Sequence, residues 1–365
     1  MQKINLRLVN HCKNLSWLLA VSCLFFSSFN LNAQITYQSQ FGTTGSGNSQ
    51  FREPMGVHIA SNGNILVTER NNHRVQIFDS NGNYLSKFGS LGSGNAQFNK
   101  PVDITTTSNG DILVTDRDNH RVQRFDSNGN YLSKFGSFGT GNGQFNHAFG
   151  IVVAPNGDIW VADRKNSRVQ IFDNNGNYKD QFGGSGTGNG QFNEPYGFAF
   201  TANGSVWITD HVNDRMQLFD GDGNYLDQFG STGTGNGQFN RPSRVVIDAV
   251  GNIYVTGQEN DRVQVFDSNG TYLNQFGSEG SADGLFNLPF GIAIAQDGNI
   301  WVADRQNNRV QRFCCATVAP TVSDVPTLSE WGLIILALSF MILGTLYLVQ
   351  PNFEEQGKSS TAKIK

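Results

Sequence analysis

The chain has 365 residues, with 26 Lys and Arg against 30 Asp and Glu, a formal net charge of −4 at pH 7. A nucleic-acid-binding domain is expected to be basic, so this balance argues against DNA or RNA as a partner. Of the four cysteines, two lie in the first 33 residues, and the other two are adjacent, at Cys314 and Cys315. No further metal ligands stand near that pair, which argues against a structural zinc site.

The N-terminal 33 residues have the pattern of a secretory signal. Three cations, Lys3, Arg7 and Lys13, precede an apolar stretch from Leu15 to Phe29, and a small residue, Ala33, offers a cleavage site before Gln34. We predict that residues 1–33 are a signal peptide. Its removal leaves 23 Lys and Arg against 30 Asp and Glu, a formal charge of −7, which strengthens the case against nucleic acid.

Six copies of the phrase Arg-Val-Gln-x-Phe, or a close variant, follow at a constant spacing of 47 residues. Their arginines are Arg74, Arg121, Arg168, Arg215, Arg262 and Arg309. A fixed period of this length indicates one supersecondary unit stacked against copies of itself. The copies can also be compared with one another, so that a residue repeated in every copy is separated from one that is singular.

The copy from Pro101 to Gly136 predicts four strands. The runs are Ile104–Thr107, Ile112–Thr115, Arg121–Phe125 and Tyr131–Phe135, separated by polar segments and by Asn-Gly turns. Four antiparallel strands per 40–50 residues, repeated four to eight times, is the propeller pattern. Since no segment has the period of an amphipathic helix, we predict an all-β, six-bladed propeller over residues 34–315.

The two ends of the repeated region predict that the ring closes. Phe41 stands one period before Phe88, so Ile35–Gly42 is a fourth strand with no blade before it. The last copy stops after its third strand at Phe313. Pairing these two elements completes the sixth blade and removes two exposed sheet edges.

The phrase Val-x-Asp-x-x-Asn-x-Arg-Val-Gln-x-Phe-Asp resembles the NHL repeat over roughly residues 35–313. The resemblance implies a six-bladed propeller. Some NHL propellers bind RNA, but the acidic charge and the predicted export argue against that partner here. Other six-bladed propellers are enzymes, so a secreted lyase or a lactonase-like hydrolase is the alternative function.

A second localisation signal is predicted near the C-terminus. Gly332–Val349 is an uncharged run of 18 residues, the short limit for a membrane helix. The motif before it, Pro326-Thr327-Leu328-Ser329-Glu330-Trp331-Gly332, resembles the bacterial IPTL-type sorting domain, which implies export, membrane retention and processing by a sorting protease. We predict a linker over 316–325 and a sorting and anchor segment over 326–365. The family's tight basic tail is replaced by dispersed lysines, so a plain anchor remains the alternative.

The repeated polar residues are interpreted as scaffold. An acid stands five residues before most of the repeated arginines, as Asp116 does before Arg121, and an ion pair within the blade or a backbone cap explains it. The segment Asp220–Asn224 is similar to part of a calcium loop but lacks the remaining ligands, so turn chemistry is the preferred explanation.

The histidines do not form a catalytic cluster in the sequence. His73 and His120 share one blade position and are interpreted as surface variants, and His147 falls at another variable position. Only His58 and His211 are singular, and they belong to opposite blades. We therefore expect no metal, no cofactor and no catalytic residue.

A ligand surface is predicted on the face that carries the longer loops, because binding residues favour such loops on a rigid scaffold. Where four blades have glycine near the first strand, blades two and five have Asp103 and Arg244, and we predict the surface to be centred between them. The loops after the second strands add a basic arc, and residues before the first strands add apolar contact: Arg70, Arg117, Arg164 and Arg305, with Met55, Phe149, Tyr196 and Phe290. The expected partner is an anionic extracellular polysaccharide or an acidic protein segment.

Overall fold

The computed structural model describes residues 34–315. They form six four-stranded antiparallel sheets arranged as the blades of a propeller. The predicted signal peptide, linker, sorting motif and membrane anchor lie outside the described residues. Among residues 34–315, no helix is long and apolar enough to cross a membrane.

Each blade takes its strands from one period of the sequence, and the innermost strand comes first. First strands are Pro54–Ile59, Pro101–Thr106, Ala148–Val153, Pro195–Phe200, Pro242–Ile247 and Pro289–Ile294. Second strands are Ile65–Glu69, Ile112–Asp116, Ile159–Asp163, Val206–Asp210, Ile253–Gly257 and Ile300–Asp304. Third strands are Arg74–Phe78, Arg121–Phe125, Arg168–Phe172, Arg215–Phe219, Arg262–Phe266 and Arg309–Cys315. Fourth strands are Tyr84–Phe88, Tyr131–Phe135, Tyr178–Gly183, Tyr225–Phe229, Tyr272–Phe276 and the N-terminal Ile35–Phe41.

Short elements occupy the connections between blades. Two parallel pairs of two-residue strands are Thr43–Thr44 with Gln50–Phe51, and Ser231–Thr232 with Gln238–Phe239. Two single-turn 3-10 helices, Arg117–Asn119 and Arg164–Asn166, follow the second strands of blades two and three. The prediction of an all-β propeller is confirmed.

The closing strand lies where the shared register predicts it. Ile35–Phe41 pairs antiparallel with Arg309–Cys315, so that Phe41 stands opposite Val310 and Tyr37 opposite Phe313. The sixth blade therefore takes three strands from one end of the repeated region and one from the other, so that the outer edge of Arg309–Cys315 is paired like that of the other third strands.

The first strands begin earlier than predicted. Pro101 already pairs with Asp116, and a bulge follows before Ile104 pairs with Val114. The residues expected to precede the first strands, Met55, Phe149, Tyr196 and Phe290, are consequently the second residues of those strands. The sequence concealed this start because a proline opens most of these strands, and proline is tolerated at the first residue of a strand.

Aromatic rings join neighbouring blades. The phenylalanine that ends each fourth strand packs on the phenylalanine that ends the next blade's third strand, as Phe88 packs on Phe125 at a centroid distance of 4.6 Å. Phe41 and Phe78 make the same contact across the closure, at 4.5 Å. Because such rings bury large apolar areas and add a contact energy of their own, each interface is held by the same repeated pair.

The repeated arginine organises the loop that enters its blade. In blade two the Nε of Arg121 donates to Asp116 at 2.8 Å. Its two terminal nitrogens donate to the carbonyl oxygens of Ser93, Gly94 and Gln97 in the preceding connection. The predicted ion pair is confirmed in five blades: Arg74–Glu69, Arg121–Asp116, Arg168–Asp163, Arg215–Asp210 and Arg309–Asp304.

The aspartates in the turns after the third strands stabilise those turns, as predicted. The Oδ1 of Asp220 accepts the backbone N–H groups of Asp222 and Asn224, at 3.0 and 2.8 Å. The Asn224 side-chain amide donates to Oδ2 at 2.9 Å, and this bond, followed by the backbone bonds, lowers the pKa of Asp220.

The interpretation of His73 and His120 as surface variants is wrong. Both occupy the left-handed region, with φ of 53° and 54°. The Nδ1 of His73 accepts the backbone N–H of Lys100 in the next blade at 3.1 Å, and that of His120 accepts the N–H of His147 at 3.1 Å. Asp214, Asp261 and Asn308 accept the corresponding bond in other blades. In five blades the position thus holds a side-chain acceptor that tolerates positive φ, a role that Asn, Asp and His can fill, and blade three has Ser167 there, with φ of 53°.

Candidate functional site

The first strands approach closely around the propeller axis at their third residue. Glycine occupies this layer in four blades, and a Cβ on Gly150 would lie 1.6 Å from the carbonyl oxygen of Tyr196. In blades two and five the residues are Asp103 and Arg244. Their side chains meet across the axis, with Arg244 Nη1 2.8 Å from Asp103 Oδ2. The glycines therefore leave the room that one buried ion pair fills.

This ion pair is deeply buried. Arg244 is 6% exposed and Asp103 is 7% exposed. Asp103 also accepts the backbone N–H of Ile151 at 2.8 Å, whereas Nε and Nη2 of Arg244 have no hydrogen-bond partner. Burial raises the pKa of Asp103 and lowers that of Arg244, and the opposite charge of the partner counteracts both shifts. Removing either residue would therefore leave the charge of the other buried without a counter-charge.

Above the ion pair, on the long-loop face, lies a cavity of about 300 Å³ that we call the vestibule. The four predicted arginines and the four predicted apolar residues all line it, together with five residues of blades four and five and the connections that enter them: Met55, Arg70, Arg117, Phe149, Arg164, Glu194, Tyr196, His211, Val212, Arg241, Gln258, Phe290 and Arg305. Asp103 and Arg244 are not among the lining residues. The predicted basic and aromatic groups converge on the vestibule. The predicted centre of the surface, Asp103 and Arg244, lies one layer of residues below it.

Below the ion pair lies a second cavity of about 300 Å³, which we call the inner cavity. Its wall is mainly aliphatic, with residues such as Ile104, Ile151 and Ile292, and Asp103 and Arg244 stand among its lining residues. His58 also lines it and shares a 2.9 Å hydrogen bond with the Thr106 hydroxyl. Burial lowers the pKa of His58 to about 4. His58 and His211 thus belong to different cavities.

Carboxylates stand beside the vestibule arginines. Glu194 binds Arg164 at 2.6 Å, and Glu53 binds Arg70 at 3.0 Å. Asp118 binds Arg117 at 2.6 Å, and Arg305 reaches Glu53 at 3.5 Å. Sequence reasoning missed these partners. The signal was present in Glu53 and Glu194, which hold the same variable position directly before the first strand.

The vestibule stays cationic despite these pairs. Its lining contains five arginines and one acid, Glu194. Burial, followed by the charge of Arg117, lowers the pKa of Arg70, while Glu53 counteracts the shift. The Nε atoms of Arg70 and Arg305 are buried without a hydrogen-bond partner. Because a concave, low-dielectric site focuses its field, an anion gains more here than the net charge of the protein suggests.

Aromatic rings orient the guanidinium of Arg164. Its central carbon lies 5.1 Å from the ring centre of Phe149 and 5.3 Å from that of Tyr196. Tyr196 in turn stacks on His211 at 3.7 Å. Such cation–π contacts with a desolvated arginine are worth up to about 2 kcal/mol. They hold the charged group in place before any ligand arrives.

His211 and Tyr196 are neutral at physiological pH. Burial lowers the pKa of His211 to about 3 and raises that of Tyr196 to about 12. The Nδ1 of His211 lies 3.0 Å from the Pro242 carbonyl. A carbonyl accepts only, so Nδ1 carries the proton and Nε2 is the acceptor. Within residues 34–315, no group of three His, Cys, Asp or Glu side chains is placed to hold a metal ion.

Comparison with known proteins finds NHL repeats in this six-bladed propeller. The NHL repeat model matches residues 51–78, 98–125, 145–172 and 286–313, in blades one, two, three and six. The IPTL-CTERM motif model matches residues 325–344. The chain therefore carries NHL repeats and a C-terminal sorting motif, which indicates an exported, surface-associated protein.

Curated relatives match over short segments. The B-box type zinc finger protein ncl-1 of Caenorhabditis elegans is 41% identical over 51 residues, 14% of this chain and 6% of that protein. Protein brain tumor of Drosophila melanogaster is 41% identical over 51 residues, 14% of this chain and 5% of that protein. The chain thus matches only a small part of these much longer proteins.

Solved structures share the fold at low identity. A streptogramin B lyase has a TM-score of 0.55 and 13% identity, over 76% of this chain and 97% of that one. A gluconolactonase from Xanthomonas campestris has a TM-score of 0.55 and 13% identity, over 77% and 97%. An auxiliary nutrient binding protein from Bacteroides thetaiotaomicron has a TM-score of 0.57 and 15% identity, over 76% and 75%. At these identities the similarity shows the propeller fold alone.

Proposed function

We propose that this protein is exported, held at the cell surface by its C-terminal segment, and binds an acidic group of an extracellular partner in the vestibule. The observation that carries the proposal is the convergence of Arg70, Arg117, Arg164 and Arg305, from four consecutive blades, on one cavity. The propeller serves as a rigid scaffold, and the loops after the second strands supply the binding groups.

The chemistry favours a carboxylate as the recognised group. Arginine presents a planar fork of donors that matches carboxylate geometry. The cavity volume of about 300 Å³ is at the small end for ligand pockets, so it admits one acidic sugar or one acidic side chain rather than a folded surface. The same chemistry fits an acidic polysaccharide and an acidic protein segment, the two partners expected from the sequence.

Binding is tested with Arg117→Glu combined with Arg164→Glu. This double reversal should weaken binding to the partner by at least about 100-fold, because two charge-assisted contacts become repulsive. The matched control is Lys87→Glu with Lys134→Glu, which changes the net charge equally on the outermost strands. Equal affinities of the two double variants would contradict the proposal.

The partner class is identified by two arms of one experiment. The purified protein is applied to an array of glycans with and without uronic or sialic acids, and to a library of acidic and neutral peptides. Retention of acidic glycans alone identifies a polysaccharide partner, and retention of acidic peptides alone identifies a protein partner. Retention of neutral and acidic members alike would contradict recognition of a carboxylate.

An enzymatic function is the second candidate, favoured by His211. One structural neighbour is a catalytically inactive His-to-Ala variant of virginiamycin B lyase from Staphylococcus aureus, bound to quinupristin. The Nε2 of His211 is a hydrogen-bond acceptor, and His211 lines the vestibule. Its pKa of about 3 makes it a weak base at neutral pH. Turnover of lactones or cyclic depsipeptides that is abolished by His211→Ala would establish catalysis.

Membrane attachment is tested separately. We expect a chain truncated after Asp324 to leave the membrane fraction, because the sorting motif and the apolar run are then missing. The matched control is Trp331→Ala in the full chain, which alters the motif and keeps the apolar run. Equal membrane retention of the truncated and full-length chains would contradict attachment through this segment.

A further inference from the structure

Blade five lacks a buried acid that the other five blades share. The last residue of the second strand is an acid in five blades, and each of these acids is completely buried: Glu69, Asp116, Asp163, Asp210 and Asp304. In blade five the residue is Gly257. The repeated arginine of this blade, Arg262, therefore has no carboxylate beside it.

Blade two shows what the acid does. The Oδ1 of Asp116 accepts the backbone N–H of Asn99 at 2.7 Å. Its Oδ2 accepts from Arg121 Nε at 2.8 Å, from Asn119 at 2.8 Å and from the Gln123 amide at 3.2 Å. One carboxylate thus satisfies four donors and supplies the counter-charge of the guanidinium.

The donors remain in blade five, and only half of the acceptor is replaced. Asn260 places its Oδ1 2.6 Å from the backbone nitrogen of Asn240, which substitutes for the first carboxylate oxygen. The second oxygen has no substitute. Arg262 Nε is buried without a partner, and the Gln264 amide donates to the Gln238 carbonyl at 2.8 Å. Two N–H groups therefore point to the position where Oδ2 lies in the other blades.

Charge favours an anion at this position. Arg262 is 8% exposed, and burial lowers its pKa. A cation with this little hydration is stabilised by a nearby negative charge. A Cβ built on Gly257 would lie 3.2 Å from Asn260 Oδ1 and 3.3 Å from Asn260 Cβ, so a group in this place packs directly against the Asn260 side chain.

We propose that blade five binds a small monovalent anion, chloride or formate in size, between Arg262 Nε and the Gln264 amide. The anion takes the place that a carboxylate oxygen holds in the other blades and supplies the charge that Gly257 lacks. This site is independent of the vestibule, so its existence does not rest on the proposed function.

The test is thermal unfolding of the purified protein as chloride replaces gluconate at constant ionic strength. Chloride should raise the Tm of the natural protein by about 2–4 °C with saturation. Gly257→Asp should have the higher Tm already in gluconate and should not respond, because its own carboxylate fills the position. Gly257→Ala is the matched control: it adds a Cβ without charge and should still respond. Equal chloride responses of the natural protein and Gly257→Asp would overturn the proposal.

A direct observation uses the natural protein alone. Crystals grown in bromide should show an anomalous peak within hydrogen-bond distance of Arg262 Nε. The equivalent position in blade two, filled by Asp116, is the internal control and should show none. A bromide map without a peak at Arg262 would overturn the proposal even if the Gly257 variants failed to fold.

Discussion

The vestibule and the inner cavity have the same volume, about 300 Å³ each, and lie on the same axis, yet their linings differ. The inner cavity is lined by the second halves of the first strands, where the repeat places aliphatic side chains. The vestibule is lined by loop residues, including arginines at one repeated position in four blades, and by the second residues of four first strands. The repeat therefore gives the inner cavity a mainly aliphatic wall and gives the vestibule most of its positive charge. Asp103 and Arg244, which replace the repeated glycine, stand between the two cavities.

We expect the largest effect from removal of the closing strand. Deleting residues 34–42 leaves the third strand of blade six as an open edge and removes the Phe41–Phe78 contact. The Tm should fall by more than about 10 °C. Gln38→Ala, an exposed change in the same strand, is the control and should have little effect. Equal Tm values for the deletion and the natural protein would contradict closure through this strand.

The ion pair between the cavities is tested by breaking it. Asp103→Asn leaves the guanidinium of Arg244 buried without a counter-charge, and we expect a loss of about 3–5 kcal/mol in the free energy of unfolding. Replacing both residues, with Asp103→Leu and Arg244→Met, should recover most of this loss. Urea denaturation measures both variants. A loss below about 1 kcal/mol for Asp103→Asn would show that the pair is hydrated.

Arg244 is for the same reason a poor probe of binding. The sequence predicts it at the centre of a ligand surface. In the structure Arg244→Asp would put two carboxylates in one buried layer. A loss of binding would then report unfolding rather than contact with a ligand.

The two buried histidines, one in each cavity, should make the stability of the protein depend on pH. Burial lowers the pKa of His58 to about 4 and that of His211 to about 3, whereas an unfolded histidine has a pKa near 6.5. The unfolded chain therefore binds protons first, and stability falls as the pH drops below about 6.5. Each histidine should contribute a loss on the order of 2–3 kcal/mol by about pH 4.

His58→Asn and His211→Asn measure these two contributions. Each variant should flatten the fall in stability between pH 6.5 and 4, and the slope lost with His211 should extend to about pH 3. The control is His73→Asn, which keeps the side-chain acceptor for Lys100. A pH profile unchanged in both variants would show that the two histidines are accessible to protons in the folded state.

The sequence predicted the strands and the closure because a constant period of 47 residues places every strand in register with its equivalents. It also brought together the vestibule arginines, since strand parity assigns loops to faces. It could not give distances across the ring. That Asp103 and Arg244 touch depends on how closely the glycine layer approaches the axis, which is a property of packing. The acceptor role of His73 and His120 depends on contact with the next blade, and no pattern within one copy reveals it.

The smallest effect is expected from a change that keeps the vestibule charge and alters its geometry. Arg164→Lys retains a cation beside Glu194 but loses the planar fork and much of the contact with Phe149 and Tyr196. If the vestibule recognises carboxylate geometry, affinity for the acidic partner should fall about three- to tenfold, since lysine acts as a point charge. Arg164→Gln, which removes the charge, should fall further. Salt dependence separates the two causes: the lysine variant should keep the natural sensitivity to ionic strength, because screening acts on charge. If Arg164→Lys binds as tightly as the natural protein, the vestibule attracts anions through its positive charge alone. Its aromatic lining would then contribute nothing to recognition, like the aliphatic wall of the inner cavity.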